Sequence, residues 1–199
     1  MSPADEEMDE EPRGPNYHEV KFAGFGGQGI ILAGLICGKA ASLFDNKNAV
    51  LTESYGPEAR GGACSASVIV STSKIFYPHV SRPDTMTIMS QEAFKTYGPS
   101  LAENGLLIVD SDLVTIAPGD IKPGTKLYRV PFTRLSEEVG KRIVANIVML
   151  GAFTALGEAV SIEAMKKSIL ATVPKGTEDL NLRAFQKGYD AAKALLSTD

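Results

Sequence analysis

Glu19-Val20-Lys21-Phe22-Ala23-Gly24-Phe25-Gly26-Gly27-Gln28-Gly29-Ile30-Ile31-Leu32 is the stretch whose reading decides the fold. Its first five residues alternate like a short strand, and a glycine turn follows at once. Ile30, Ile31, Leu32, Leu35, Ile36 and Ala40 then recur at helical spacing through about Leu43, with small Ala33, Gly34 and Gly38 permitting close packing on a sheet. A strand, a glycine turn and a helix in succession place bare amides at the mouth of the helix. A helix N-terminus carries roughly half a positive charge, and glycines let a phosphate approach its N–H groups closely. Gly24, Gly26 and Gly29 also satisfy the dinucleotide fingerprint, and Glu53, about 20 residues on, stands where an acid could hold a ribose. The same glycines equally serve a tight turn and close helix-on-sheet packing, and local pattern leaves both readings open.

Working outward, Asn48 to Glu53 reads as a second strand and Ala63 to Ser71 as a third, with a hairpin onto Lys74 to Tyr77 as an option. Asp84 to Met89 follows as a strand, Gln91 to Ala102 as a helix, Gly105 to Asp110 as a continuous apolar strand of the kind buried on both faces, and Lys126 to Val130 as the last strand. Beyond it the chain turns helical over Arg134 to Gly157, Ser161 to Ala171 and Thr177 to Leu196. This alternation predicts an α/β fold: a doubly wound, mostly parallel, Rossmann-like sheet with some antiparallel edge and a helical C-terminal third.

At 199 residues, 44% hydrophobic and 22% charged, the chain can close one sizeable core. Residues 1–17 read as a disordered acidic tail carrying Asp5, Glu6, Glu7, Asp9, Glu10 and Glu11 among prolines, and 18–199 as a single domain. The remainder is near neutral, without the concentrated basic face of a nucleic-acid binder. No apolar run reaches the ~18 residues of a membrane span, and the N-terminus lacks the basic-then-apolar order of a signal peptide. Cys37 and Cys64, the only cysteines, can form neither a disulfide framework nor a four-cysteine cluster site. Both read as small buried residues in a reducing cytoplasm. The two histidines, His18 and His79, stand apart without catalytic spacing, and no catalytic or metal-ligating residue is assigned.

The second informative stretch is Glu53-Ser54-Tyr55-Gly56-Pro57-Glu58-Ala59-Arg60-Gly61-Gly62, too polar and too rich in breakers to be an ordinary connection. Arg60 offers a planar fork for a carboxylate or phosphate, Gly61 and Gly62 offer backbone amides, and Tyr55 offers a ring for stacking. A binding or interface role for Ser54, Tyr55, Gly56, Pro57 and Glu58 is expected. The alternative is an Ω-like loop in which Arg60 pairs within the protein.

Taken together, Gly26-Gly27-Gln28-Gly29 and Ser54-Tyr55-Gly56-Pro57-Glu58-Ala59-Arg60-Gly61-Gly62 resemble the gamma subunits of 2-oxoacid:ferredoxin oxidoreductases. The likeness continues through Ile75, Tyr77-Pro78, Pro83-Asp84, Ser90-Gln91-Glu92-Ala93, Asp110, Asn146, Leu150-Gly151-Ala152 and Asn181, and spans about His18 to Lys193. Tyr55-Gly56-Pro57-Glu58-Ala59-Arg60 differs from the wording of indolepyruvate-type subunits, and Gly62-Ala63 looks more like 2-oxoglutarate or branched-chain enzymes than pyruvate ones.

The resemblance implies a subunit of an enzyme that converts a 2-oxoacid, coenzyme A and oxidised ferredoxin into acyl-CoA, carbon dioxide and reduced ferredoxin, or runs the reverse carboxylation. It implies thiamine diphosphate, magnesium and iron–sulfur clusters on alpha, beta and delta partner subunits, since this chain carries neither a diphosphate and magnesium motif nor the cysteines for clusters. The task left to this domain is to help bind CoA, with Gly24, Gly26, Gly27, Gln28 and Gly29 toward the CoA phosphates. Arg60, Gly61 and Gly62 are expected to complete that site or contact the catalytic subunits. The competing readings are a free-standing NAD- or nucleotide-binding protein, for which Glu53 is the best support, and a purely architectural subunit.

Overall fold

The computed structural model describes residues 16–55 and 62–197. Six strands form one sheet in the order β2-β3-β1-β4-β5-β6: β1 Tyr17–Phe25, β2 Asn48–Tyr55, β3 Ala63–Ser71, β4 Thr85–Ile88, β5 Leu106–Asp110 and β6 Lys126–Val130. β1, β4, β5 and β6 are parallel neighbours, whereas β3 runs antiparallel to both β1 and β2. Only β3 is reversed, so the sheet is mostly parallel with an antiparallel edge, as the alternation of elements predicts. β1 takes in Tyr17, which the sequence assigns to the acidic tail; residues 1–15 of that tail lie outside the described residues.

Both faces of the sheet are covered, which is what makes it doubly wound. On one face Val20, Phe22, Ala66, Val68 and Val70 pack with helices α1 (Ile30–Lys39), α4 (Ala145–Leu156), α5 (Ile162–Thr172) and α6 (Glu178–Leu196). Phe22 and Phe153 meet edge to face there, ring centroids 5.1 Å apart. On the other face Ala23, Met86, Ile88, Leu107 and Val109 pack with Ala93 and Phe94 of α2 (Gln91–Tyr97). α4 is buried along nearly its whole length, which accounts for its apolar sequence on every side.

Three local expectations are corrected. Lys74 to Tyr77 forms no strand, because β3 spends both of its edges on β1 and β2 and offers no free ladder for a hairpin. The helix expected over Gln91 to Ala102 ends at Tyr97 and tightens into a 3₁₀ turn at Gly98–Ser100, since Pro99 has no N–H to continue the α ladder. The helix expected over Arg134 to Gly157 is broken in two. α3 (Phe132–Val139) stops at Gly140, whose φ of 121° is one that a glycine adopts readily, and a 3₁₀ turn at Arg142–Val144 leads into α4.

Candidate functional site

The glycine turn sits at the carboxyl end of β1, where open parallel sheets place their ligands. Its glycines have separate jobs. Gly27 has a φ of 98° and Gly29 of 73°, both in the left-handed region. At Gly24 a Cβ would come within 2.6 Å of the Gln28 Oε1 and 2.8 Å of Ile30, and at Gly29 it would collide with the Asn146 side chain. Around Gly26 and Gly27 there is nothing within 4 Å of such an atom, so the backbone of these two residues is open to approach. Gln28, expected to face a ligand, uses its amide within the protein: Oε1 accepts from the Phe25 N–H at 2.6 Å and Nε2 donates to the Met89 carbonyl at 3.1 Å. It therefore fixes the turn against the end of β4 while still lining the space beside it.

That space is a cleft of about 290 Å³ lined by Gly27, Gln28, Met89, Thr133, Arg142, Ile143 and Ala145. Among its described lining residues the charge is of one sign. α1 and α4 both begin here, at Gly29 and Val144, with neither a side-chain cap nor an acid in the first turn. The positive ends of two helix dipoles thus face this region, that of α4 through the 3₁₀ turn in which the Ala145 N–H donates to the Arg142 carbonyl. Arg142, exposed on the 3₁₀ turn, adds a full charge and a planar fork of donors. No carboxylate lines the cleft among the described residues. One stands behind it: Asp110, fully buried at the end of β5, accepts from the Asp112 N–H at 3.1 Å and from the Thr133 N–H and hydroxyl at 3.0 and 2.7 Å. Asp110 so caps the turn after its own strand and anchors the first turn of α3.

Arg142, Thr133 and Ile143 were not candidates in the sequence. The signal was Gly140-Lys141-Arg142, a breaker followed by two cations inside what reads as one long helix. Of the second loop, Gly62 abuts the turn by accepting from the Gly26 N–H at 3.4 Å, while Ser54 and Tyr55 end the exposed edge strand β2. Gly56, Pro57, Glu58, Arg60 and Gly61 lie outside the described residues. The Tyr55 hydroxyl donates to Glu53 at 2.6 Å, and that bond holds its phenol above the usual range.

Glu53 is not where a dinucleotide fold needs it. β3 lies between β2 and β1, which carries the acid on the order of 10 Å from the strand that bears the glycine turn. The sequence spacing was right, but the topology removes its meaning. The cysteines are equally unsuited to metal chemistry. Burial pushes the Cys37 thiol up to about 12 and raises that of Cys64, and the described residues contain no group of three or more His, Cys, Asp or Glu able to hold a metal ion. No described helix is long and apolar enough to cross a membrane.

Comparison with known proteins agrees with this geometry. Residues 19–191 match the model of the pyruvate ferredoxin/flavodoxin oxidoreductase family. The chain is 53% identical to the 2-oxoglutarate synthase subunit KorC of Methanocaldococcus jannaschii over 180 residues, 89% of this chain and 95% of that one. Against the pyruvate synthase subunit PorC of the same organism the identity is 27% over 175 residues, 86% of this chain and 95% of that one. Among solved structures, the gamma subunit of a keto/oxoacid ferredoxin oxidoreductase from Geobacter sulfurreducens superimposes with a TM-score of 0.79 at 44% identity, over 89% of this chain and 99% of that one. The alternation of elements, the glycine turn and these matches agree: the chain belongs to the pyruvate ferredoxin/flavodoxin oxidoreductase family, among the gamma-type subunits of 2-oxoacid:ferredoxin oxidoreductases.

Proposed function

We propose that this chain serves a 2-oxoglutarate:ferredoxin oxidoreductase as its gamma subunit, helping to bind CoA and working together with alpha, beta and delta partners. The 2-oxoglutarate assignment is supported by the difference between 53% and 27% identity to the 2-oxoglutarate and pyruvate subunits of one organism. The CoA role is supported by a single observation: the starts of two helices without an acid in their first turns, and Arg142, converge on a cleft with no carboxylate among its described lining residues. Backbone N–H groups at helix starts suit the oxygens of a diphosphate, and an arginine suits a phosphate bidentately. The exposed Ile143 at the lip offers an apolar contact for the uncharged arm of the substrate.

Two buried cysteines with raised thiol pKa values are too few to hold an iron–sulfur cluster, and thiamine diphosphate, magnesium and the clusters are assigned to the partner subunits. Oxidation of the 2-oxoacid and electron transfer to ferredoxin belong to the partner subunits. In the assembled enzyme, Arg142→Ala raises the KM for CoA about tenfold or more, as expected when a charge-assisted hydrogen bond is lost. The KM for the 2-oxoacid and kcat at saturating CoA stay the same. Arg60→Ala likewise raises the CoA requirement. An enzyme that assembles normally and responds to CoA as before after both substitutions would leave the domain an architectural role alone.

A further inference from the structure

Gln28 closes the glycine turn with both its main chain and its side chain. Its N–H donates to the Phe25 carbonyl at 3.1 Å, while its Oε1 accepts from the Phe25 N–H at 2.6 Å. Two bonds to one residue thus bracket Gly26 and Gly27. The third tie runs to β4, where Nε2 donates to the Met89 carbonyl at 3.1 Å. Met89 is a firm anchor. Its own N–H donates to the Ala23 carbonyl of β1 at 2.9 Å, and Ser90, next in the chain, caps α2 by accepting from the Ala93 N–H at 3.2 Å.

What the clamp encloses is a pair of exposed glycines, with nothing within 4 Å of a Cβ on either and a φ of 98° at Gly27. Two adjacent glycines have more conformational freedom than any other dipeptide, and an oxyanion that bound their backbone unheld would have to order it first. Fixing the turn beforehand removes that cost.

We propose that Gln28 is the positioning residue of the cleft: its amide is engaged inside the protein, and it acts by holding the Gly26–Gly27 backbone in the shape that receives a phosphate group. The inference rests on the CoA role proposed for the cleft. A neutral side-chain amide suits the task because it accepts at one end and donates at the other. A glutamate carboxylate could accept from Phe25 but would set a second oxygen against the Met89 carbonyl. Methionine, of similar length, could do neither.

The test reads the KM for CoA in the assembled enzyme and the ¹⁵N–¹H signals of Gly26 and Gly27 in the full chain. Gln28→Met raises the KM for CoA about tenfold, leaves kcat at saturating CoA and the KM for the 2-oxoacid as in wild type, and displaces or broadens both glycine signals. Gln28→Glu does the same at about pH 8 and recovers, relative to wild type at the same pH, as acid protonates the carboxyl and lets it donate to Met89. A normal CoA KM in Gln28→Met overturns the proposal even where Gln28→Glu is impaired, since charge repulsion alone would account for the latter. Unmoved glycine signals overturn it too, as does a fall in kcat or an equal rise in both KM values. Arg142→Ala keeps the two readings apart: a raised CoA KM there beside a normal one in Gln28→Met removes the positioning role alone, and normal values in both remove the CoA role with it. Should Gln28→Met fail to fold, Gln28→Glu is read on the glycine signals, where no substrate is present to be repelled. Their return toward wild type in acid supports the clamp, and no return refutes it.

Discussion

Asn146, the second residue of α4, donates its side-chain amide to the Gly29 carbonyl at 3.2 Å across 117 positions of sequence. The bond joins the two helix starts that open on the cleft. It also explains why a buried asparagine stands in an otherwise apolar helix. Gly29 leaves it no alternative, because a Cβ there would occupy the place of the amide and would sit at a φ of 73°. Gly29→Ala is therefore expected to cost about 1–3 kcal/mol, from backbone strain and displacement of Asn146. Asn146→Ala is expected to cost about 0.5–1.5 kcal/mol through the lost hydrogen bond, the Gly29 carbonyl keeping the Ala33 N–H at 2.9 Å. Urea denaturation of both single variants and the double variant checks this. The two costs should fall short of additive, since one contact is counted twice.

Gly151 of α4 and Gly188 of α6 let two helix backbones touch. A Cβ on Gly151 would strike the Phe185 carbonyl and lie 2.8 Å from the Tyr189 nitrogen, and one on Gly188 would strike the Val148 carbonyl. Backbone cannot step aside as a side chain can, so alanine at either position forces the helices apart. A loss of about 1–3 kcal/mol or more is expected. Gly38 of α1 is the control: a Cβ there meets only the Val68 methyl, at 4.0 Å. Gly38→Ala should raise stability by about 0.5–1 kcal/mol from helix propensity. Equal thermal shifts for the three variants would contradict the helix-crossing account.

The β1, glycine turn and α1 unit was legible because its hydrophobic period switches from 2 to 3.6 within a few residues, and only local forces are needed to read that. The position of β3 was not. Nothing in Ala63 to Ser71 says whether that strand joins the sheet edge or inserts between β2 and β1, and this non-local choice is what separates Glu53 from the turn. Half of the cleft was hidden for a related reason. Gly140 reads as one weak interruption in an apolar run, yet its positive φ swings Arg142 over to a glycine turn more than a hundred residues earlier. Lys21 read only as the polar member of an alternating strand, because alternation tells which face a residue occupies and not whether that face is covered.

Asp110 and Thr133 couple the sheet to the cleft. The buried carboxylate accepts three N–H or O–H groups, two of them from Thr133, which lines the cleft. Asp110→Ala leaves those donors without an acceptor and should cost about 3 kcal/mol or more. Thr133→Val removes only the hydroxyl bond of 2.7 Å and should cost about 1 kcal/mol. If the α3 turn shapes the CoA site, Thr133→Val in the assembled enzyme raises the KM for CoA a few-fold without changing that for the 2-oxoacid. A shift in the 2-oxoacid KM instead would place the cleft on the wrong substrate.

Cys37 makes stability depend on pH in the alkaline range. Its thiol, wholly buried in α1, keeps its proton up to about 12, against an ordinary value of 9.0 in the unfolded chain, because burial penalises the thiolate. Between those values the unfolded chain binds fewer protons than the folded one, so stability falls as pH rises. The contribution is fully present below pH 9 and is lost as pH climbs toward 12. Urea midpoints measured from pH 8 to about 10.5 should decline more steeply for the wild-type chain than for Cys37→Ala, the window being set by the two thiol pKa values. The same burial should leave Cys37 unmodified by iodoacetamide in the native chain at pH near 8, and reactive once urea exposes it. Parallel pH profiles of the two proteins would mean that the thiol reaches water in the folded state.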